Sequence, residues 1–259
     1  FFIENKFMTA PKIIALIPAR SGSKRIKDKN IKKLGDHPLL AYSIQAAIDC
    51  EIFDSVVCAT DSKLYADIAT YYGAEVPFLR SNIISEDNSP DIDWVKSILL
   101  GLKESGREFD YFSILRPTSP FRLSRTIERA WNIVKNNMNA DSLRAIEKCS
   151  QHPGKMWMIR GALMLPLMPF VINGTPWHSN QYSTLPEVYV QNASLEIAKT
   201  KLVFDQNSIA GEVILPFITE GLEGFDINYE MDFQAAENYI LTEKNILPSI
   251  KQIPYQIFK

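Results

Sequence analysis

The sequence holds only three cysteines, Cys50, Cys58 and Cys149, too scattered for a disulfide framework or a CxxC metal site. They read as reduced residues, which fits the cytoplasm. Excess charge of one sign is missing too. Lys and Arg number 28 against 30 Asp and Glu, so no global field recruits nucleic acid or an anionic membrane, and any anion site has to be local. No apolar run reaches the length of a membrane span. The opening FFIENKFMTA is broken by Glu4, Asn5 and Lys6 before it could act as a signal core. Residues 1–10 therefore read as an irregular tail. The Walker signature GxxxxGK[ST] and the dinucleotide signature GxGxxG are both absent.

What is present is apolar content, 46% of 259 residues, enough for a sizeable core. Short apolar runs at 13–17, 55–60, 74–79 and 111–115 read as strands buried on both faces. Between them, 39–50, 62–72 and 91–105 carry helical spacing, the second behind a Ser62 cap. This alternation predicts an α/β fold, a doubly wound and mostly parallel sheet whose ligands bind beyond the carboxyl ends of the strands. The rhythm changes after Cys149. Residues 155–173 form two apolar runs broken by Arg160-Gly161 and prolines, a hairpin or arm whose Met- and Leu-rich surface needs a cover such as a second subunit. Further strands are expected at 188–197 and 211–215, and a helix at 229–242.

Three stretches carry chemistry. Seven basic residues and one acid lie between positions 20 and 33, directly after the first strand. Ser21, Gly22 and Ser23 allow backbone N–H groups to turn toward an anion, while Arg20 and Lys24 neutralise successive phosphates. The second stretch, Leu115-Arg-Pro-Thr-Ser-Pro-Phe-Arg122, also follows a strand, and its prolines stiffen a turn that aims polar groups across the same surface. The third is Gly224-Phe-Asp-Ile-Asn228. Asp226 and Asn228 alternate by two, so an extended segment presents both to one hard cation.

Ala19-Arg-Ser-Gly-Ser-Lys24 with Lys29-Asn30, Ser55-Val-Val-Cys-Ala-Thr-Asp61, Ala74-Glu-Val-Pro-Phe-Leu-Arg80, Pro117-Thr-Ser-Pro-Phe-Arg122 and Asp226-Ile-Asn with Asp232 resemble the acylneuraminate cytidylyltransferases, over roughly 13–241. The resemblance implies a nucleotidyltransferase fold over 11–259, with a dimerisation arm at about 153–187 exchanged in a homodimer. It implies transfer of CMP from CTP to the anomeric hydroxyl of an acidic keto-sugar, with Mg²⁺ or Mn²⁺. Arg20, Ser23, Lys24 and Asn30 then match nucleotide-binding positions, with Ser21 and Gly22 beside them. Ser85 and Asp87 approach the cytidine, and Asp226 with Asn228 hold the metal. On the sugar side the expected residues are Arg116, Thr118, Ser119, Arg122, Gln181, Gln191 and Asn192, plus Lys155 donated toward the partner's site. Arg116 and Asn228 depart from the family's usual Gln and Asp, so the sugar half is altered while the nucleotide half is kept. Two alternatives share the phosphate cradle: a nucleotidyltransferase acting on Kdo or a sugar phosphate, and a nonenzymatic phosphate-binding protein.

Overall fold

A computed structural model describes residues 10–80 and 90–256. The first strand, β1 (Ile13–Pro18), leads through the basic loop into two-residue strands β2 (Lys33–Leu34) and β3 (His37–Pro38), which pair with each other, and then into α1 (Leu39–Asp49). Strand β4 (Ser55–Ala59) and helix α2 (Lys63–Tyr71) follow, with the Ser62 hydroxyl accepting from the Tyr65 N–H as expected of a cap. Next come α3 (Asp91–Glu104), β5 (Tyr111–Ile114), α4 (Ser124–Lys135) and β6 (Ser142–Lys148). After the arm, the chain runs through β11 (Tyr189–Lys199), α5 (Thr200–Asp205), β12 (Ile214–Ile218) and α6 (Glu230–Thr242).

The main sheet has the order β12-β6-β11-β5-β1-β4. Strand β1 pairs parallel with both β4 and β5, whereas β11 joins β5 antiparallel. The two-residue period of β1 sorts its side chains. Ile13, Ala15 and Ile17 pack with α1, α2 and α4 on one face, and Ile14 and Leu16 pack with α3 and α5 on the other. The chain therefore leaves β1 toward one face and reaches β5 from the other, which opens a crevice at the carboxyl ends of these two neighbours.

A third apolar cluster lies at that end. Ile26 from the basic loop, Phe121 from the turn after β5, Ile227 from the 224–228 segment and Phe233 from α6 are all buried against one another. Three stretches far apart in sequence are thereby pinned together by ordinary hydrophobic burial.

Residues 146–191 form a second compact unit, somewhat wider than the expected arm. Its centre is the hairpin of β7 (Trp157–Arg160) and β8 (Leu163–Pro166), joined by Gly161 and Ala162. Gly161 has φ 61, the left-handed conformation such a two-residue turn asks of its first member. A smaller ladder joins β9 (Val171–Ile172) to β10 (Thr175–Pro176).

Two expected strands differ. Residues 74–79 make a single bridge, Val57 to Glu75, because Pro77 has no N–H to extend the ladder. The strand expected at 211–215 lies three residues later at Ile214–Ile218. Pro216 sits inside it, as an edge strand permits. Among the described residues no helix is long and apolar enough to cross a membrane.

Candidate active site

A cleft of about 560 Å³ opens at the carboxyl ends of β1 and β5. Among the described residues Arg20, Lys24, Arg25, Lys29, Arg80 and Arg116 contribute six cations to its lining, against the single acid Asp91. Such a wall suits a polyanion.

The basic loop supplies Arg20, Ser23, Lys24 and Asn30 to the cleft. Asn30 is buried and donates from Nδ2 to the Arg20 carbonyl at 3.1 Å, so it braces the loop from inside. Ser21 behaves differently from expectation. Its N–H donates to Asp61 Oδ1 at 2.8 Å and its hydroxyl to Asp61 Oδ2 at 3.2 Å, while the Ser23 N–H donates to the Ser21 carbonyl at 3.0 Å. Two of the three N–H groups expected to greet an anion are therefore used within the fold.

The second wall comes from the turn after β5. Thr118 lines the cleft and its carbonyl accepts from the Ile227 N–H at 2.9 Å, tying the second stretch to the third. Arg116 lines it too. One guanidinium nitrogen, Nη2, bridges Asp91 Oδ2 and Glu196 Oε1, both at 2.7 Å, and Arg144 pairs with the other side of Glu196. Burial works to raise the Asp91 carboxyl. The Arg116 charge and hydrogen bond, helped by Trp94 Nε1, more than offset it and hold that carboxyl below the usual range.

Ser119 and Arg122, expected to meet substrate, are instead buried. The Arg122 guanidinium donates to the carbonyls of Ser194 and Arg116 and, at 2.7 Å, to the Ser43 hydroxyl. Burial, then the nearby Arg116 charge, lowers its pKa. This side chain ties β5, α1 and β11 together. The motif residue is real, but its work is internal.

At the third stretch, which is extended coil rather than a strand, Asn228 lines the cleft. Its Nδ2 donates to Asp226 Oδ2 at 2.6 Å, and its Oδ1 accepts from Arg25 at 3.3 Å. Asp226 Oδ1 is buried without a hydrogen-bond partner. Lys29 donates to the Ile227 carbonyl at 2.7 Å, and burial lowers its pKa against the opposing pull of Asp226. Asp232 accepts from the N–H groups of Asn228 and Tyr229 at 2.8 and 2.7 Å, so it caps α6.

Lys155 and Gln181 belong to the second unit. Lys155 Nζ donates to the carbonyls of His178 and Asn180 there, and Gln181 is exposed with its carbonyl accepting from Thr184. Gln191 is exposed at the edge of that unit, whereas Asn192 donates to the Thr219 hydroxyl at 2.9 Å. Ser85 and Asp87 lie outside the described residues. Sequence reasoning missed Arg80, Asp91 and Trp94, which line the cleft with Arg80 stacked over the Trp94 ring at 5.4 Å. Sequence offered no signal for them beyond the place of Arg80 at the end of a quoted motif.

A parallel-centred α/β sheet with a cationic crevice at β1 and β5 is built to take an anionic ligand beyond its strand ends. A solved structure of CMP:2-keto-3-deoxy-manno-octonic acid synthetase complexed with CTP shares the fold, with TM-score 0.66 at 12% identity over 89% of this chain and 99% of that one. The cytidylyltransferase family model matches residues 14–210, and the chain belongs to that family. Its relatives include the CMP-N,N'-diacetyllegionaminic acid synthase of Legionella pneumophila, 33% identical over 87% of this chain and 95% of the relative. The N-acylneuraminate cytidylyltransferase of Escherichia coli O18:K1:H7 is 31% identical over 87% of this chain and 51% of its own length.

Proposed function

We propose that this enzyme transfers CMP from CTP to the anomeric hydroxyl of a sialic-acid-like, nonulosonic keto-sugar acid and releases pyrophosphate. The observation that carries the reading is the cleft itself, six cations converging at the switch point of a fold shared with cytidylyltransferases. The sugar hydroxyl loses its proton to solvent and its oxygen forms a bond to the α-phosphorus while the bond to the β-phosphate oxygen breaks. Arg20 and Lys24 hold the phosphates and stabilise the charge that builds on them, so catalysis is electrostatic positioning with no covalent protein nucleophile. Arg116 and Thr118 occupy the wall nearest the β5 end and are assigned to the sugar acid. The relatives that act on legionaminic and neuraminic acids support this sugar class.

The residues fit a divalent cation, Mg²⁺ or Mn²⁺, through Asp226, whose buried and unpartnered Oδ1 is an acceptor that a hard cation would satisfy. Asn228 Oδ1 is taken by Arg25, so its amide orients Asp226 more than it ligates. Among the described residues no cluster of three or more His, Cys, Asp or Glu side chains forms a metal cage, and phosphate oxygens and water would complete the shell. When bound with the nucleotide, the ion supplies neutralisation of phosphate charge. The enzyme is assigned as a homodimer that uses its arm for contact.

Pyrophosphate release tests the reading. Purified protein is offered CTP, UTP, ATP and GTP against neuraminic, legionaminic and pseudaminic acids, Kdo and sugar phosphates. Release confined to CTP with a nine-carbon keto-acid is the expected result. Release with a sugar phosphate instead would overturn it.

A further inference from the structure

We propose that Asp61 is a positioning residue for the nucleotide's phosphates, holding Ser21 turned outward so that its neighbours Arg20, Ser23 and Lys24 face the cleft. The proposal rests on the reading above that CTP is the nucleotide.

Asp61 stands just past β4, the strand next to β1 in the sheet. The register between those strands continues one residue beyond β1, where the Ala19 N–H donates to the Ala59 carbonyl at 3.0 Å. Two residues further along each chain, the carboxylate meets Ser21. Oδ1 takes the backbone N–H at 2.8 Å and Oδ2 takes the hydroxyl at 3.2 Å, so both donors of Ser21 are held by both oxygens of one side chain. Neither Ser21 nor Asp61 lines the cleft, while Arg20, Ser23 and Lys24 do.

A carboxylate beside a polyanion site weakens binding by repulsion, so its presence needs an opposing benefit. Fixing the loop is that benefit. Charge-assisted bonds to a backbone N–H and a hydroxyl on the same residue define the direction of the chain at that point. Asp61 is itself held on a stiff junction: the Ser62 N–H donates to the Thr60 hydroxyl at 3.2 Å, and Ser62 caps α2. The same helix restrains the loop a second time, with Tyr65 donating to Asp28 Oδ1 at 3.1 Å. The basic loop is thus held at both ends from β4 and α2, and its cations enter the cleft preorganised.

The test uses the intact enzyme with Mg²⁺ and CTP, by calorimetric binding and steady-state kinetics. Asp61→Ala is expected to raise the Kd and KM for CTP about tenfold with a smaller change in kcat, at a near-normal thermal midpoint. Asp61→Asn keeps an acceptor for the Ser21 N–H and should restore affinity to within about threefold of the parent. Should Asp61→Ala not fold, Ser21→Ala deletes only the hydroxyl bond and is expected to weaken CTP about threefold. Parent enzyme that fails to bind CTP would sink the functional reading itself. Parent enzyme that binds CTP overturns the positioning role if Asp61→Ala or Ser21→Ala binds as tightly as it does, or if Asp61→Asn is as weak as Asp61→Ala.

Discussion

Asn228 Nδ2 donates to Asp226 Oδ2 at 2.6 Å, and the other oxygen of the same carboxylate is buried with no hydrogen-bond partner. One side chain therefore orients the other, and a single protein charge is left for a cation. A hard divalent ion needs about six oxygen ligands, so one carboxylate holds it weakly until a triphosphate supplies more. The free enzyme is expected to show weak Mg²⁺ binding by calorimetry, with a large gain once CTP is present. Asp226→Asn should lower kcat by about a hundredfold or more. Asn228→Asp should remain active and bind the ion more tightly. Tight ion uptake by the free protein, or ordinary turnover by Asp226→Asn, would place the cation elsewhere.

Arg20 and Lys24 enter the cleft from a loop whose apolar anchor is Ile26, not from the core. Arg20→Ala and Lys24→Ala are each expected to reduce kcat/KM for CTP by about a hundredfold, in line with lost charge stabilisation at a transferring phosphoryl group. Thermal unfolding should barely move. Near-normal CTP kinetics in either variant would remove that residue from the phosphate site.

Much of this arrangement was legible in the sequence, for identifiable reasons. The continuous run Ile13 to Ile17 could only be a strand covered on both faces, and the 3.6-residue spacing of α1 and α3 placed helices between strands. Helix α4 had the same signal in Ile127, Ala130, Trp131 and Val134, yet the proline-rich turn before it drew the reading elsewhere. Roles were harder to see than elements. Arg122 and Arg116 belong to one motif, six residues apart, but the first is buried beneath β11 and the second faces the cleft. Spacing records neighbourhood along the chain, whereas burial depends on strands that arrive eighty residues later. Asp61 was quoted within a motif and given no role, because the bond that explains it crosses from one strand end to the next.

The arm's hairpin presents apolar side chains to solvent: Ile159 is 80% exposed, Leu163 71% and Met164 58%. Adjacent exposed positions of this kind mark a contact surface, and an enzyme that uses them is expected to sediment as a dimer. Ile159→Asp combined with Leu163→Asp should shift it to monomer at micromolar concentration. A parent protein that is monomeric at the same concentration would refute the assignment.

The network around Arg116 makes a pH prediction. Burial pushes the Asp91 carboxyl up, and Arg116, joined by Trp94 and Arg144, holds it below its ordinary value. Between the folded and unfolded values the unfolded chain binds more protons, so stability rises with pH across that window. The contribution is fully present above the ordinary carboxylate value of 3.8 and is lost as pH falls through the lower, folded one. Arg116→Ala removes the opposing charge and leaves the burial in place, so the folded Asp91 carboxyl should titrate higher and its share of the acid loss of stability should shrink or reverse. Near neutral pH the variant is expected to lose about 1 kcal/mol, because Glu196 keeps its Arg144 partner while Asp91, whose side chain is 36% exposed and screened by solvent, loses its principal one. Urea denaturation from pH 3 to 8 reads both effects. An acid limb of the same amplitude in the two proteins would show that Arg116 does not set the Asp91 carboxyl.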